Sequence, residues 1–139
     1  MTRVLIIQGE GMDRRGLELV EVFGPETLEE INTGIEALAD QLAIEVDIFQ
    51  SNDEAAVVER LSSAAAEPFA AMIINPGGFT PSTGPLPDAV GALPFPAYEV
   101  HASNPASRGV RSTIGPVCRG SVCGFGYAGY GMVLKALSA

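Results

Sequence analysis

Short unbroken apolar runs alternate along this chain with longer stretches in which apolar residues recur every three or four positions, the pattern of alternating strands and helices. Val4-Leu5-Ile6-Ile7 predicts a first strand. Ile44 to Phe49, Met72-Ile73-Ile74, Ala97 to Val100 and Pro116 to Val122 predict four more. Leu28, Ile31, Ile35, Leu38 and Leu42 trace one stripe after Pro25, so a helix opens near Thr27. Asp53 to about Ala66 predicts a second helix with Val57, Val58 and Leu61 inward, Asp88 to Leu93 a short third, and about Phe125 to Leu137 a closing one. Five strands with interleaved helices imply an α/β three-layer sandwich over one domain, residues 1–139, with a five-stranded parallel sheet and right-handed crossovers.

Two segments break the alternation. Gly9 to Gly24 is too long for an ordinary turn between strand and helix, and long loops in compact domains usually serve as functional lids; the lid spans about residues 10–24. Asn75-Pro76-Gly77-Gly78-Phe79-Thr80 interrupts the chain just after the third strand. In open parallel sheets the ligand crevice lies at that carboxyl end. Gly77 and Gly78 there permit close approach of backbone and ligand.

Charge narrows the partners. Eight Lys and Arg against 17 Asp and Glu give a net charge of −9, which repels nucleic acid and anionic membrane surfaces. No run approaches the ~20 apolar residues of a spanning helix, and the start of the chain lacks a signal-peptide plan, so a cytoplasmic location is expected. Cys118 and Cys123, with His101 as the only histidine, do not make a metal centre; free thiols are expected, and no metal or organic cofactor.

Five segments then carry a resemblance: Thr27-Leu28-Glu29-Glu30-Ile31-Asn32, Phe49-Gln50-Ser51-Asn52, Ile73-Ile74-Asn75-Pro76-Gly77, Glu99-Val100-His101-Ala102-Ser103-Asn104 and Cys123-Gly124-Phe125-Gly126. In order and spacing they resemble type II 3-dehydroquinate dehydratase (type II dehydroquinase) across nearly the whole chain. The resemblance implies a flavodoxin-like fold, assembly as a trimer-based dodecamer, and anti elimination of water from a cyclic keto acid through an enolate. It implies His101 as the general acid, Glu99 as the carboxylate that orients it, and Asn75 as the stabiliser of the enolate oxygen. Ser103 and Asn104 would hold the substrate carboxylate, Asp88 would reach a neighbouring subunit's site, and Arg111 is the match for a late substrate-binding arginine.

The base half of that machinery departs from the family pattern. Phe23 stands where the family has its proton-abstracting tyrosine, and a ring without a hydroxyl has no proton to lose. Glu18 stands in place of the activating arginine, Gly11 in place of an asparagine, and Pro81 in place of a substrate-contacting histidine. Glu18 and Glu21 are therefore candidates for a substitute base, while solvated loop charges are the commoner fate of such residues. Leu17, Leu19, Val20, Val22 and Phe23 make the lid apolar, from which a more hydrophobic small-molecule substrate is expected, unless those residues pack on a neighbouring subunit. The leading expectation is a dehydratase-like lyase or cyclase with a changed substrate, plausible in natural-product metabolism. The alternatives are an ordinary 3-dehydroquinate dehydratase of the shikimate pathway and a non-catalytic binding or scaffold homologue.

Overall fold

The computed structural model describes residues 1–139. Five parallel strands, β1 (Thr2–Glu10), β2 (Ile44–Gln50), β3 (Ala71–Gly77), β4 (Ala97–His101) and β5 (Gly120–Cys123), form one sheet in the order β2-β1-β3-β4-β5. The helices are α1 (Val20–Phe23), α2 (Leu28–Gln41), α3 (Glu54–Ala64), α4 (Leu86–Gly91) and α5 (Ala128–Ser138). One apolar cluster packs Leu5, Ile7, Met72 and Ile74 against Val57, Leu61, Leu86 and Val90 from α3 and α4. On the opposite face Val4, Ile6 and Ile73 meet Ile31 and Ile35 of α2 and Tyr130, Val133 and Leu134 of α5. Alternation along each strand supplies both faces, which is why the central strands are continuous apolar runs. No helix is long and apolar enough to cross a membrane.

The helix boundaries follow local chemistry. Thr27 caps α2, its hydroxyl accepting from the Glu30 N–H while the Glu30 carboxylate accepts from the Thr27 N–H. Asp53 caps α3 through its side chain. Four expected boundaries move. The third strand runs on through Asn75 and Pro76 to Gly77, so the break begins only at Gly78. Pro116 lies in a 3-10 turn, Gly115–Val117, so β5 starts only at Gly120. The closing helix waits until Ala128 because Gly124 and Gly126 take positive φ values of 87° and 59°. The short third helix begins two residues earlier than expected, with proline in its first turn.

The segment between β1 and α2 holds a 3-10 turn, Met12–Arg14, and the single helical turn α1. Its start is pinned across the sheet: the Gly11 N–H donates to Asn52 Oδ1 at 2.9 Å, and Asn52 Nδ2 donates to Asp13 at 3.2 Å. Met12 anchors it from below, fully buried. The loop after β3 is fixed by Glu54, whose carboxylate accepts from the Ser82 hydroxyl and the Leu86 N–H. Both loops thus stand at the carboxyl ends of β1, β3 and β4.

Candidate active site

Strand register assembles the site. Gln8 of β1 lies beside Asn75 of β3, and Glu10 beside Gly77. At Gly77, φ is 56° and a β-carbon would sit 2.3 Å from the Glu10 carbonyl oxygen, so only glycine lets the two strands close here. Between these strand ends and the lid lies a cavity of about 420 Å³. His101, Asn75, Gly77, Gly78, Ser103, Phe23 and Glu18 all line it, together with Glu10, Arg14, Arg15 and Arg108.

His101 ends β4 and is 6 % exposed. Its Nε2 lies 2.9 Å from Glu99 Oε2, a close contact whose N–H is off the line to the oxygen. Nε2 is closed off from solvent, which leaves Nδ1 as the nitrogen toward the cavity. Glu99 is buried, yet fully occupied. Oε2 accepts from the Ser112 hydroxyl at 2.5 Å and Oε1 from the Ser121 hydroxyl at 3.0 Å. Burial pushes the Glu99 pKa up, but His101 and the two hydroxyls favour the anion more and hold it below the usual carboxylate range. A fixed anion behind an imidazole orients the ring, which is what a general acid requires.

Asn75 is 2 % exposed and equally constrained. Its Nδ2 donates to the Tyr130 hydroxyl at 3.0 Å, and its Oδ1 accepts from the Gly77 N–H at 3.3 Å. The Tyr130 hydroxyl donates on to Gln8 Oε1 at 2.6 Å, and Gln8 Nε2 donates to Asn32 at 3.2 Å. This relay settles which way the amide points. An amide NH₂ carries two hydrogens, so one remains for the cavity, a preorganised donor for a developing oxyanion. Burial pushes the Tyr130 hydroxyl far above its ordinary pKa, so it remains a neutral donor.

The charge lining the cavity is opposite in sign to the whole chain's: three guanidiniums, Arg14, Arg15 and Arg108, face two carboxylates, Glu10 and Glu18. Arg14 is paired with Glu18, Nε to Oε1 at 3.2 Å. Arg108 donates to the Ser103 hydroxyl at 2.9 Å. The apolar contributors are few, Leu19, Phe23, Ala102 and Val110. These charged side chains do not favour the hydrophobic ligand expected from the lid. Leu17, Val20 and Val22 are 63, 40 and 39 % exposed and lie outside the cavity, so much of the lid's apolar character is spent on its outer surface.

Other expected residues sit elsewhere. Arg111 is exposed and outside the cavity; Arg108, at the end of the 3-10 turn Pro105–Arg108, is the arginine of that segment that reaches it. Asn104 caps that turn, and Asp88 and Glu21 are exposed, all three outside the cavity of this chain. Of the two candidate substitute bases, Glu18 alone lines it. No cluster of His, Cys, Asp and Glu fit to hold a metal is formed. Both cysteines are free and half-buried, and burial, then the nearby Glu99, push the Cys118 thiol up to about 12. The sequence reading missed Arg108 and the residues that hold Glu99 and Asn75 in place, and it gave Arg14 and Arg15, which lie close to the absent arginine's place, no role.

Comparison with known proteins finds relatives over nearly the whole chain. The model of the family described as dehydroquinase class II matches residues 2–138. A 3-dehydroquinate dehydratase of Desulforudis audaxviator is 40 % identical over 137 residues, covering 96 % of this chain and 91 % of that one. One of Bacillus mycoides is 35 % identical over 140 residues, covering 99 % and 95 %. The crystal structure of a type II dehydroquinase from Butyrivibrio crossotus superposes with a TM-score of 0.94 at 28 % identity, covering 99 % of this chain and 98 % of that one.

Proposed function

We propose that this chain, which belongs to the class II dehydroquinase family, a family of lyases, dehydrates a small, hydroxylated cyclic keto acid of the 3-dehydroquinate kind. The observation that carries the reading is one cavity lined by both an imidazole backed by a buried carboxylate and a fixed carboxamide donor, with guanidiniums in surplus. A polar, cationic pocket favours a hydroxylated carboxylate over an apolar ring. The 34–40 % identity to proteins named 3-dehydroquinate dehydratase favours the same substrate.

In this reading His101 Nδ1 delivers a proton to the departing hydroxyl, which leaves as water, and Glu99 holds the ring in place. Asn75 donates its free amide hydrogen to the enolate oxygen. Removal of the proton beside the ketone falls to Glu18. Glu10 is the other carboxylate on the cavity, but its side chain lies over Gly78, next to the oxyanion donor, where a second negative charge opposes enolate formation. Glu18 sits on the lid beside Arg14, which balances its charge. Asp88 and the outward apolar face of the lid are free for a neighbouring subunit in a trimer-based dodecamer.

The test is direct. Purified protein is incubated with 3-dehydroquinate and formation of the conjugated enone is followed in the ultraviolet. Turnover is expected, falling about 10²–10⁴-fold in His101→Ala. Absence of turnover by the native chain overturns the substrate, and activity unchanged in His101→Ala overturns the assignment of the acid.

A further inference from the structure

Arginines that face a cavity are normally matched by carboxylates, and a chain with 17 acidic residues has many to offer. Arg14 follows that rule. Arg15 and Arg108 do not, since neither has a carboxylate oxygen within ion-pair distance. They share an aromatic ring instead: the Arg15 guanidinium carbon lies 3.7 Å from the Phe23 ring centroid and that of Arg108 5.5 Å from it. The ring face attracts each cation modestly and does nothing to cancel their mutual repulsion.

Arg15 is more enclosed than a lid side chain needs to be. Its Nε is closed to solvent with no hydrogen-bond partner. The Tyr127 hydroxyl, likewise closed off and unpartnered, lies beside the guanidinium, close enough to act on it electrostatically without an aligned hydrogen bond. Burial draws the Arg15 pKa down, with the neighbouring Arg108 adding to the fall while Tyr127 opposes it. Two guanidiniums on one ring, against the polar wall of a cavity, form half of an anion site.

We infer that Arg15 is a substrate-binding residue, held by the face of Phe23 and the hydroxyl of Tyr127, that together with Arg108 and Ser103 grips a carboxylate of the ligand. The inference rests on the reading of the ligand as a small carboxylate, and deepens it by naming the residue. It also gives Phe23 a function: a bare aromatic face for stacking a cation, where a proton acceptor was looked for. Phe23 and Tyr127 are then positioning residues, and Arg15 the group that touches the ligand.

Calorimetric titration of 3-dehydroquinate into the His101→Ala protein, which removes the proton donor to the leaving hydroxyl, measures binding apart from turnover. Tartrate, an unreactive hydroxylated dicarboxylate, is titrated into the native protein as a second probe. Arg15→Gln is expected to weaken both about 10–100-fold. Arg15→Lys restores part of the loss, Phe23→Leu costs several-fold, and Arg119→Gln, outside the cavity, changes nothing. Binding within twofold of the parent in Arg15→Gln overturns the inference. If tartrate binds and depends on Arg15 while 3-dehydroquinate does not bind, the inference stands and the proposed substrate falls. If neither binds at 10 mM, roughly the weakest affinity such a site should show, both fall. Should Arg15→Gln not fold, phenylglyoxal labelling of the native protein decides: 3-dehydroquinate or tartrate is expected to shield Arg15 from the reagent, and unshielded labelling under saturating ligand overturns the inference.

Discussion

Tyr130→Phe removes a single oxygen from the centre of the molecule and leaves the ring packing intact. In the native chain that hydroxyl accepts from Asn75 Nδ2 and donates to Gln8 Oε1, and Tyr130 is 1 % exposed, with Asn75 at 2 % and Gln8 at 0 %. The substitution strands one buried donor and one buried acceptor. Each such group costs about 1–3 kcal/mol when its partner is removed, so a loss of about 2–6 kcal/mol is expected. That is a large part of the roughly 5–15 kcal/mol that holds a domain of this size together. The melting temperature should fall by about 5–20 °C. Urea unfolding followed by circular dichroism at pH 7 measures it. A second replacement, Gln8→Met in the Tyr130→Phe background, should cost less than Gln8→Met alone, because its partner is already gone. A loss below about 0.5 kcal/mol for Tyr130→Phe, within the ordinary scatter of surface substitutions, would refute the argument that the relay fixes the Asn75 amide.

Two further outcomes follow from the site. The Glu99 pKa is depressed in the folded state, so this carboxylate contributes stability above its unfolded pKa of about 4.3 and loses it as pH falls through the lower folded value. Urea midpoints measured from pH 7 down to pH 3 should therefore drop more steeply in the native protein than in Glu99→Gln. Gly77→Ala forces a β-carbon against the Glu10 carbonyl at a positive φ, and thermal melts should show a loss above about 2 kcal/mol.

Much of the architecture was legible in the pattern of apolar residues because a parallel sheet covered on both faces demands continuous apolar strands, and Val4 to Ile7 and Met72 to Ile74 supply them. His101, Glu99 and Asn75 were legible through their motifs, and each meets the cavity or the residue that does. The lid was harder. Its apolar letters say nothing about direction, and only the fold shows that Leu17, Val20 and Val22 turn outward while Phe23 turns in. Arg108 and Arg111 are alike in sequence; the 3-10 turn after Asn104 decides between them. Gln8 and Tyr130 read as members of apolar elements, and their pairing across 122 positions leaves no local trace.

The central claim is a division of labour, with acid and oxyanion donor on the sheet and the proton acceptor on the lid. Exchange of the hydrogen beside the ketone of 3-dehydroquinate in deuterated water, followed by proton NMR, separates the two halves. The account predicts that His101→Ala still exchanges that hydrogen while losing dehydration, and that Glu18→Gln loses both. Exchange that disappears in His101→Ala, or persists unchanged in Glu18→Gln, would contradict it.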